Sequence, residues 1–168
     1  MLSVIIPTLN EEQHLPLLLE SLQKQSFKDF EVIVADAGSK DKTRSIARSY
    51  GCRIVQGGRL PVGRNNGALA SKKKYLLFVD ADAVLKPHCL ATLIRQMKRY
   101  TVASGSVWPH DGSWMNKAMC AFTNRFHYYL QFFYPHCPES GCLTMLPREV
   151  WKRCGGYDER LDIFDFFS

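Results

Sequence analysis

The sequence predicts an α/β protein with a mostly parallel sheet that is flanked by helices on both faces. Short apolar runs rich in β-branched residues alternate with helical patterns of about ten to fifteen residues. Such an alternation needs crossover connections, which make the strands parallel and place helices over the sheet. The chain of 168 residues is 46% hydrophobic and 23% charged, which fits one globular domain.

The first strand is predicted at residues 2–6, where Pro7 ends an apolar run. A helix follows, because four leucines at i, i+3, i+4 and i+7 share one helical face. These are Leu15, Leu18, Leu19 and Leu22. Asn10 with Glu11 and Glu12 predicts an acidic N-terminus for this helix.

The second strand is predicted at residues 30–36, with Asp36 at its carboxyl end. Gly38 then turns the chain, and Ser39 or Asp41 is expected to cap a helix that ends at Gly51. The remaining predicted elements are a strand at 52–56, a small-residue helix at 64–71, a strand at 74–80 and a helix at 87–100.

Polar residues follow three of the predicted strands at the point where each strand ends. They are the loop that begins at Pro7, then Asp36, then the pair Asp80 and Asp82. Ligands of parallel sheets bind beyond the carboxyl ends of the strands, so these groups are expected to converge on one edge. Two carboxylates at one strand end suit a hard cation, Mg²⁺ or Mn²⁺, bridging to a substrate diphosphate. An exposed turn that binds no metal is the alternative.

Several classes of function lack their motifs. No GxGxxG follows the first strand and no GxxxxGK[ST] is present, so neither dinucleotide binding nor P-loop phosphoryl transfer is supported. The net charge of +6 suits anionic partners. Nucleic acid is not expected among them, because basic charge is the only feature that favours it.

The six cysteines do not form a disulfide framework in a chain of this length. Cys137, Cys142 and Cys154 form the one cluster, for which a zinc site, a local disulfide and ordinary free thiols are the alternatives. No secretory signal and no membrane-spanning run is visible, so a cytoplasmic location is expected. Aromatic residues in 119–136 form a helical stripe that would pack on the sheet or another subunit, or dock peripherally on the anionic inner face of a membrane.

Four blocks of the sequence resemble family-2 glycosyltransferases of the GT-A fold. They are SVIIPTLNEEQHLPLLLESLQKQSFKDFEVIVADAGSKDKT, RNNGALA, YLLFVDADAVL with its DXD motif, and GCLTMLPREVWKRCGGYDERL. The resemblance implies transfer of a sugar from a UDP- or GDP-sugar to an acceptor hydroxyl, commonly with inversion. The acceptor would be a glycan, a lipid-linked molecule or a protein.

The resemblance also implies roles for individual residues. Donor-binding positions are Pro7, Leu9 and Glu11 at the base and ribose, Asp36 at the base, Arg64 near the diphosphate, and Asp80, Ala81 and Asp82 in the DXD motif. Asp80 and Asp82 would hold the metal. Simpler roles compete at three positions: an Asx turn or helix cap for Asp36, a first-turn acid for Glu11, and a surface charge at a helix start for Arg64.

An inverting transferase needs a general base for the acceptor hydroxyl. The family's acidic pair is absent after GGYDERL, which leaves Asp165 as the first candidate and Asp162 as the second. The chain would be one domain over 1–168, with a nucleotide-sugar-binding half at 1–100 and an acceptor-side half at 101–168 that is either truncated or minimal. A nucleotide-sugar-binding domain without transferase activity, or a sugar nucleotidyltransferase, are the alternatives.

Overall fold

The computed structural model describes residues 1–105 and 143–160, together with Ala118 and Phe122. The elements in chain order are β1 (Leu2–Thr8), α1 (Leu15–Gln23), β2 (Phe30–Asp36), α2 (Thr43–Ser49), β3 (Arg53–Gln56), α3 (Leu60–Ala70), β4 (Tyr75–Val79), α4 (Cys89–Gln96), β5 (Ala103–Ser104), β6 (Leu143–Pro147) and α5 (Arg148–Arg153).

These strands form one six-stranded sheet in the order β3-β2-β1-β4-β6-β5. β1 pairs in parallel with both β2 and β4, and β2 pairs in parallel with β3. β6 is antiparallel to both β4 and β5. The predicted mostly parallel sheet is therefore confirmed, and its antiparallel part lies at the edge built from the later segment.

Helices cover both faces of the sheet, as predicted. On one face Leu2, Val4 and Ile6 of β1 join a buried cluster that includes the leucines of α1 and α4. On the other face Ile5 of β1 joins Ala68 of α3 and Trp151 of α5. Successive residues of β1 thus enter opposite cores, which explains why the sequence of this strand is mostly apolar without a strict alternation.

The prediction that Pro7 ends the first strand was wrong, since β1 continues to Thr8. The backbone groups of Leu2 and Thr8 point towards β2. Leu2 N donates to Asp29 O, and Thr8 O accepts from Ala37 N. Because neighbouring residues of a strand alternate in direction, an N–H at position 7 would point towards β4. The pairing of β1 with β4 ends at Ile5, so β4 offers no partner there. Proline is tolerated because no neighbouring strand needs its missing N–H.

The predicted start of the first helix was also wrong. α1 begins at Leu15 behind His14 and has no acidic residue in its first turn. Glu11 therefore does not act as a first-turn acid on a helix dipole. Residues 10–12 instead make hydrogen bonds to the loop after β2 and to the first residue of α2, which a local helix pattern cannot reveal. α2 ends at Ser49 with Tyr50 as its C-cap, and Gly51 follows with φ 72°, so the predicted glycine lies directly after this helix and its cap.

The observed bounds of α3 and α4 differ from the predicted ones. α3 begins at Leu60, earlier than predicted, and carries a proline in its first turn. α4 is shorter than the predicted helix, since it covers Cys89–Gln96.

Gly67 allows α3 to lie directly against β1. A Cβ at this position would come within 2.3 Å of Ile5 Cγ2, and Ile5 is fully buried. Gly67→Ala should gain about 1 kcal/mol of helix propensity but lose about 1–3 kcal/mol through overpacking. We expect a net loss in the free energy of unfolding, measured by urea denaturation.

Gly63→Ala, on the same helix, is the matched comparison. Its nearest contact would be Pro7 Cβ at 3.3 Å, so its loss should be the smaller of the two. A stabilised Gly67→Ala variant would contradict the close approach of helix and strand.

Candidate nucleotide-sugar site

The loops after β1 and β2 form one hydrogen-bonded unit at the carboxyl edge of the sheet. Asn10, with φ 57°, donates from its N–H to Ser39 Oγ at 2.9 Å and accepts from Lys40 N at 2.9 Å through Oδ1. Glu11 N donates to Thr43 Oγ1 at 2.8 Å. Each loop therefore holds the other in place next to the ends of two parallel strands.

Asp36 organises this unit. Its carboxylate, only 3% exposed, accepts from the backbone N–H groups of Gly38 and Ser39 at 3.1 Å each. It also accepts from the hydroxyls of Thr8, at 3.3 Å, and Ser39. These four bonds match the acceptor capacity of a carboxylate. The structure therefore contains the Asx-turn arrangement that the sequence left open for Asp36.

Arg64 and Asp80 form an ion pair between α3 and the end of β4. Arg64 Nη2 donates to Asp80 Oδ1 at 2.9 Å, and the two side chains are 9% and 27% exposed. Arg64 lies inside α3 and is largely buried, so it is not a surface charge at a helix start. One oxygen of Asp80 accepts from Arg64, which leaves acceptor capacity for another ligand.

Tyr157 covers the guanidinium of Arg64. The ring centroid lies 5.3 Å from Arg64 Cζ, within the range of cation–π attraction. The edge-to-face contact with Phe78, at 5.1 Å and 85°, supports the ring from below. Burial raises the pKa of the Tyr157 phenol, with Arg64 opposing that shift and Asp80 adding to it, so the group is a neutral hydroxyl at physiological pH.

Asp82 lies two residues after Asp80, in a turn, and its side chain is exposed. Ala81, between them, is buried at 5% exposure. The two carboxylates offer hard oxygen ligands of the kind that Mg²⁺ and Mn²⁺ prefer, so the donor set fits such an ion. Within residues 1–105 and 143–160, no three His, Cys, Asp or Glu side chains gather as a metal site. Further ligands would have to come from a substrate or water.

The other predicted donor-binding residues lie along the same edge. Pro7 and Glu11 are half-buried, whereas Leu9 is 55% exposed. The structure thus brings together Arg64 and Asp80, and places Asp36 and the loop of residues 7–11 at the neighbouring strand ends.

A cleft of about 420 Å³ opens beside Asp36, between α2 and β3. Arg44 and Arg48 line it, and Arg44 Nε lies 3.6 Å from Asp36 Oδ2. Cys52 also lines it, and burial raises the pKa of this thiol to about 11. The cleft is therefore polar and carries positive charge, while its cysteine stays protonated.

Sequence reasoning missed Asn65 and Tyr157, which connect α3 to the segment after α5. The signal was present in GGYDE, where two glycines precede an aromatic residue and two acids. Both glycines have positive φ, 81° each, which permits the tight turn after α5.

Several predicted features lie outside the described residues: Asp162 and Asp165, the aromatic stripe in 119–136, and Cys137 with Cys142. Cys154, the third cysteine of that cluster, is exposed and free. Among the described helices, none has the length and apolar character needed to span a bilayer.

A mostly parallel sheet with two loops, a basic side chain and two nearby aspartates at its carboxyl edge is typical of α/β proteins that bind ligands at this edge. The chain belongs to Glycosyl transferase family 2, whose pattern matches residues 3–155. The predicted family is confirmed.

Two curated relatives illustrate the similarity. The 4,4'-diaponeurosporenoate glycosyltransferase of Staphylococcus haemolyticus is 38% identical over 108 residues, covering 58% of this chain and 28% of the relative. The GalNAc(5)-diNAcBac-PP-undecaprenol beta-1,3-glucosyltransferase of Campylobacter jejuni is 34% identical over 107 residues, covering 56% of this chain and 34% of the relative. The alignments thus span about a third or less of each relative.

Solved structures share the fold. The mannosyltransferase PcManGT of Pyrobaculum calidifontis, in complex with GDP-Man and Mn²⁺, has a TM-score of 0.73 at 22% identity, over 94% of this chain and 47% of that one. S. aureus TarS 1–349 in complex with UDP has a TM-score of 0.69 at 23% identity, over 96% and 51%. These neighbours confirm the predicted GT-A fold.

Proposed function

We propose that this chain is a metal-dependent glycosyltransferase domain that moves a sugar from a UDP- or GDP-sugar to an acceptor hydroxyl, with inversion. The observation that carries the proposal is the Arg64–Asp80 pair beside the exposed Asp82 at the carboxyl edge of the sheet. A cation and two carboxylates at one point suit a diphosphate together with a divalent metal ion.

The roles assigned to individual residues follow from this placement. Arg64 would contact the diphosphate, and Asp80 and Asp82 would bind Mg²⁺ or Mn²⁺, with Asp80 also near the ribose. The metal would stabilise the negative charge of the leaving nucleoside diphosphate. Pro7, Leu9 and Glu11 would line the base and ribose.

Asp36 would act on the base through the loop that it organises, since loop groups already occupy its carboxylate. A base that bonded Asp36 directly would have to share or displace one of those donors. Ala81 would hold the two metal-binding carboxylates at their spacing.

Asp165, or else Asp162, would take the proton from the acceptor hydroxyl. The acceptor would be a glycan, a protein or a lipid-linked molecule, and one relative is named for a substrate joined through PP to undecaprenol. Contact of residues 119–136 with an anionic membrane surface remains a prediction, as does a cytoplasmic location.

Thermal unfolding with UDP, GDP and their sugars, each with and without Mn²⁺, tests the donor site. A nucleotide present at about 100 times its Kd should stabilise the protein by about 2.7 kcal/mol. We expect one nucleotide to act, and only with the metal. A protein that responds to none of them would contradict the proposal.

Product analysis separates the alternatives. A transferase releases UDP or GDP from its nucleotide-sugar, whereas a sugar nucleotidyltransferase would release pyrophosphate from a nucleoside triphosphate and a sugar phosphate. Binding without either product would favour a domain that binds nucleotide-sugar and does not transfer it. We expect nucleoside diphosphate release.

A further inference from the structure

The ring of Tyr157 contacts both α3 and β4 beside the Arg64–Asp80 pair. Its centroid lies 5.3 Å from Arg64 Cζ, and 5.1 Å from the ring centroid of Phe78, which it meets edge to face at 85°. Phe78 is fully buried on β4, two residues before Asp80. The Tyr157 ring therefore touches the basic side chain of the pair and the strand that leads to the acidic one.

The backbone of Tyr157 is fixed to the helix that carries Arg64. Asn65, the next residue of α3, donates from Nδ2 to Tyr157 O at 2.8 Å and accepts from Tyr157 N at 2.9 Å through Oδ1. Its Nδ2 also donates to Glu159 Oε1 at 2.9 Å, and Asn65 is only 7% exposed. The ring and the guanidinium are thus held by neighbouring residues of one helix, although Tyr157 follows Asn65 by 92 residues.

The turn around Tyr157 is shaped to this contact. Gly156 has φ +81°, and a Cβ there would lie 2.7 Å from Asn65 Oδ1. Arg59, the residue that precedes α3, donates from Nη2 to Glu159 O at 2.7 Å. Contacts on both sides of Tyr157 in the sequence therefore fix the place of its ring.

The orientation of the Arg64 guanidinium matters because its N–H donors form a rigid planar fork. Such a fork binds phosphate oxygens best when two of its donors face them together. Arg64 Nη2 donates to Asp80 Oδ1 at 2.9 Å, and the face of the Tyr157 ring lies at cation–π distance from the fork. A diphosphate would therefore meet a guanidinium that is already oriented, and less side-chain entropy would be lost on binding.

We propose that Tyr157 is a positioning residue of the donor site, whose ring holds the Arg64 guanidinium in the orientation that binds the diphosphate of the nucleotide-sugar. The inference rests on the proposed transferase function. The rotamer freedom of an arginine side chain corresponds to a factor of up to about thirty in affinity. Loss of the ring should therefore weaken donor binding by about threefold to thirtyfold, although the charge of Arg64 stays in place.

Tyr157→Leu is the informative variant, because it keeps apolar bulk and removes the aromatic face. Tyr157→Phe is the conservative variant, since it keeps the face and removes only the hydroxyl. Tyr75→Leu is the matched control. Lys74 Nζ lies 5.4 Å from the ring centroid of Tyr75, so the same substitution there also removes a cation–π contact, but at the amino end of β4.

Two measurements on the full chain follow donor binding: calorimetry with UDP and GDP in the presence of Mn²⁺, and release of nucleoside diphosphate from the nucleotide-sugar with water as acceptor. For Tyr157→Leu we expect the nucleotide Kd and the donor KM to rise together by about threefold to thirtyfold, while kcat stays within about twofold. Tyr157→Phe and Tyr75→Leu should stay within about twofold of the wild type in all three quantities. An unchanged affinity in Tyr157→Leu, or an equal loss in either of the other variants, would overturn the role of the ring.

A double-mutant cycle with Arg64→Gln tests whether Tyr157 acts through Arg64. In that background the ring has no guanidinium to orient, so Tyr157→Leu should change kcat/KM for the donor by less than about twofold. This ratio is measured at low donor concentration, where it stays accessible when affinity is weak. A loss as large in this background as in the wild type would show that the ring acts independently of Arg64 and would overturn the proposal.

If Tyr157→Leu does not fold, Asn65→Asp takes its place, because it removes the Nδ2 donor that holds Tyr157 O and leaves the ring intact. The donor KM should then rise by about twofold to tenfold. Asn66→Asp is the control on the same helix, since Asn66 Nδ2 donates to Gln56 O at 3.0 Å instead, and it should match the wild type. An unchanged donor KM in Asn65→Asp would contradict the positioning role.

Failure of the proposed function is seen separately, in the wild type. A wild type that neither binds nor releases a nucleotide with Mn²⁺ contradicts the transferase function, and the role of Tyr157 fails with it. A wild type that does both, while Tyr157→Leu keeps the same Kd and KM, overturns the role of Tyr157 alone.

Discussion

Replacing Asp82 with alanine is expected to abolish the Mn²⁺-dependent stabilisation by nucleotide and to reduce transfer by about 10³-fold. A metal ion that stabilises the leaving diphosphate lowers the free energy of the transition state by several kcal/mol. Each factor of ten in rate corresponds to about 1.4 kcal/mol. Asp82 is exposed, and no described side chain pairs with it, so the free energy of unfolding should change by less than about 0.5 kcal/mol. Calorimetry with Mn²⁺ and nucleotide measures the loss.

Asp29→Ala is the matched control for this substitution. Asp29 is also an exposed aspartate, but it lies next to the amino end of β1 and binds the N-terminal ammonium of Met1 at 2.6 Å. It should retain both metal dependence and turnover. If Asp82→Ala keeps the Mn²⁺ response of the wild type, the assignment of the DXD motif to the metal is wrong.

Replacing Phe78 with alanine is expected to cause the largest loss of stability, about 3–5 kcal/mol. Phe78 is fully buried on β4, packs in the cluster with Ile5 and Trp151, and supports the Tyr157 ring. Removing the ring leaves a cavity between the sheet and α3, and the free energy gained by burying its apolar surface is lost as well. For a chain of this size, each kcal/mol corresponds to about 2–4 °C in the thermal midpoint, which calorimetry resolves.

Leu69→Ala provides the comparison on α3. Leu69 is 64% exposed, so the same kind of truncation should change stability by about 0.5 kcal/mol or less. Equal losses for the two variants would show that the Phe78 cluster is not the second core of the domain.

The strands were predictable because their signal is local. β1, β2 and β4 are mostly apolar runs, and such runs between helical patterns indicate parallel strands that are buried on both faces. The common edge for Asp36 and Asp80 followed from the same topology. The errors at Pro7 and at the start of α1 arose because a neighbouring strand and a neighbouring loop decided those boundaries.

The sequence predicted which residues lie at the site better than it predicted the contacts that they make. The DXD pair, Arg64 and Asp36 were all found from the sequence, yet the burial of Arg64 and the four hydrogen bonds to Asp36 were not. The catalytic candidates Asp162 and Asp165 stay predictions.

The sequence by itself determined the alternation of strands and helices, the family, and the placement of polar groups at strand ends, because each of these depends on neighbours along the chain. The tertiary structure alone decided that Asn65 and Tyr157 belong beside Arg64 and Asp80. Those contacts join α3 to residues 92 to 94 positions later, and at that separation no periodicity or capping pattern records which side chains will meet.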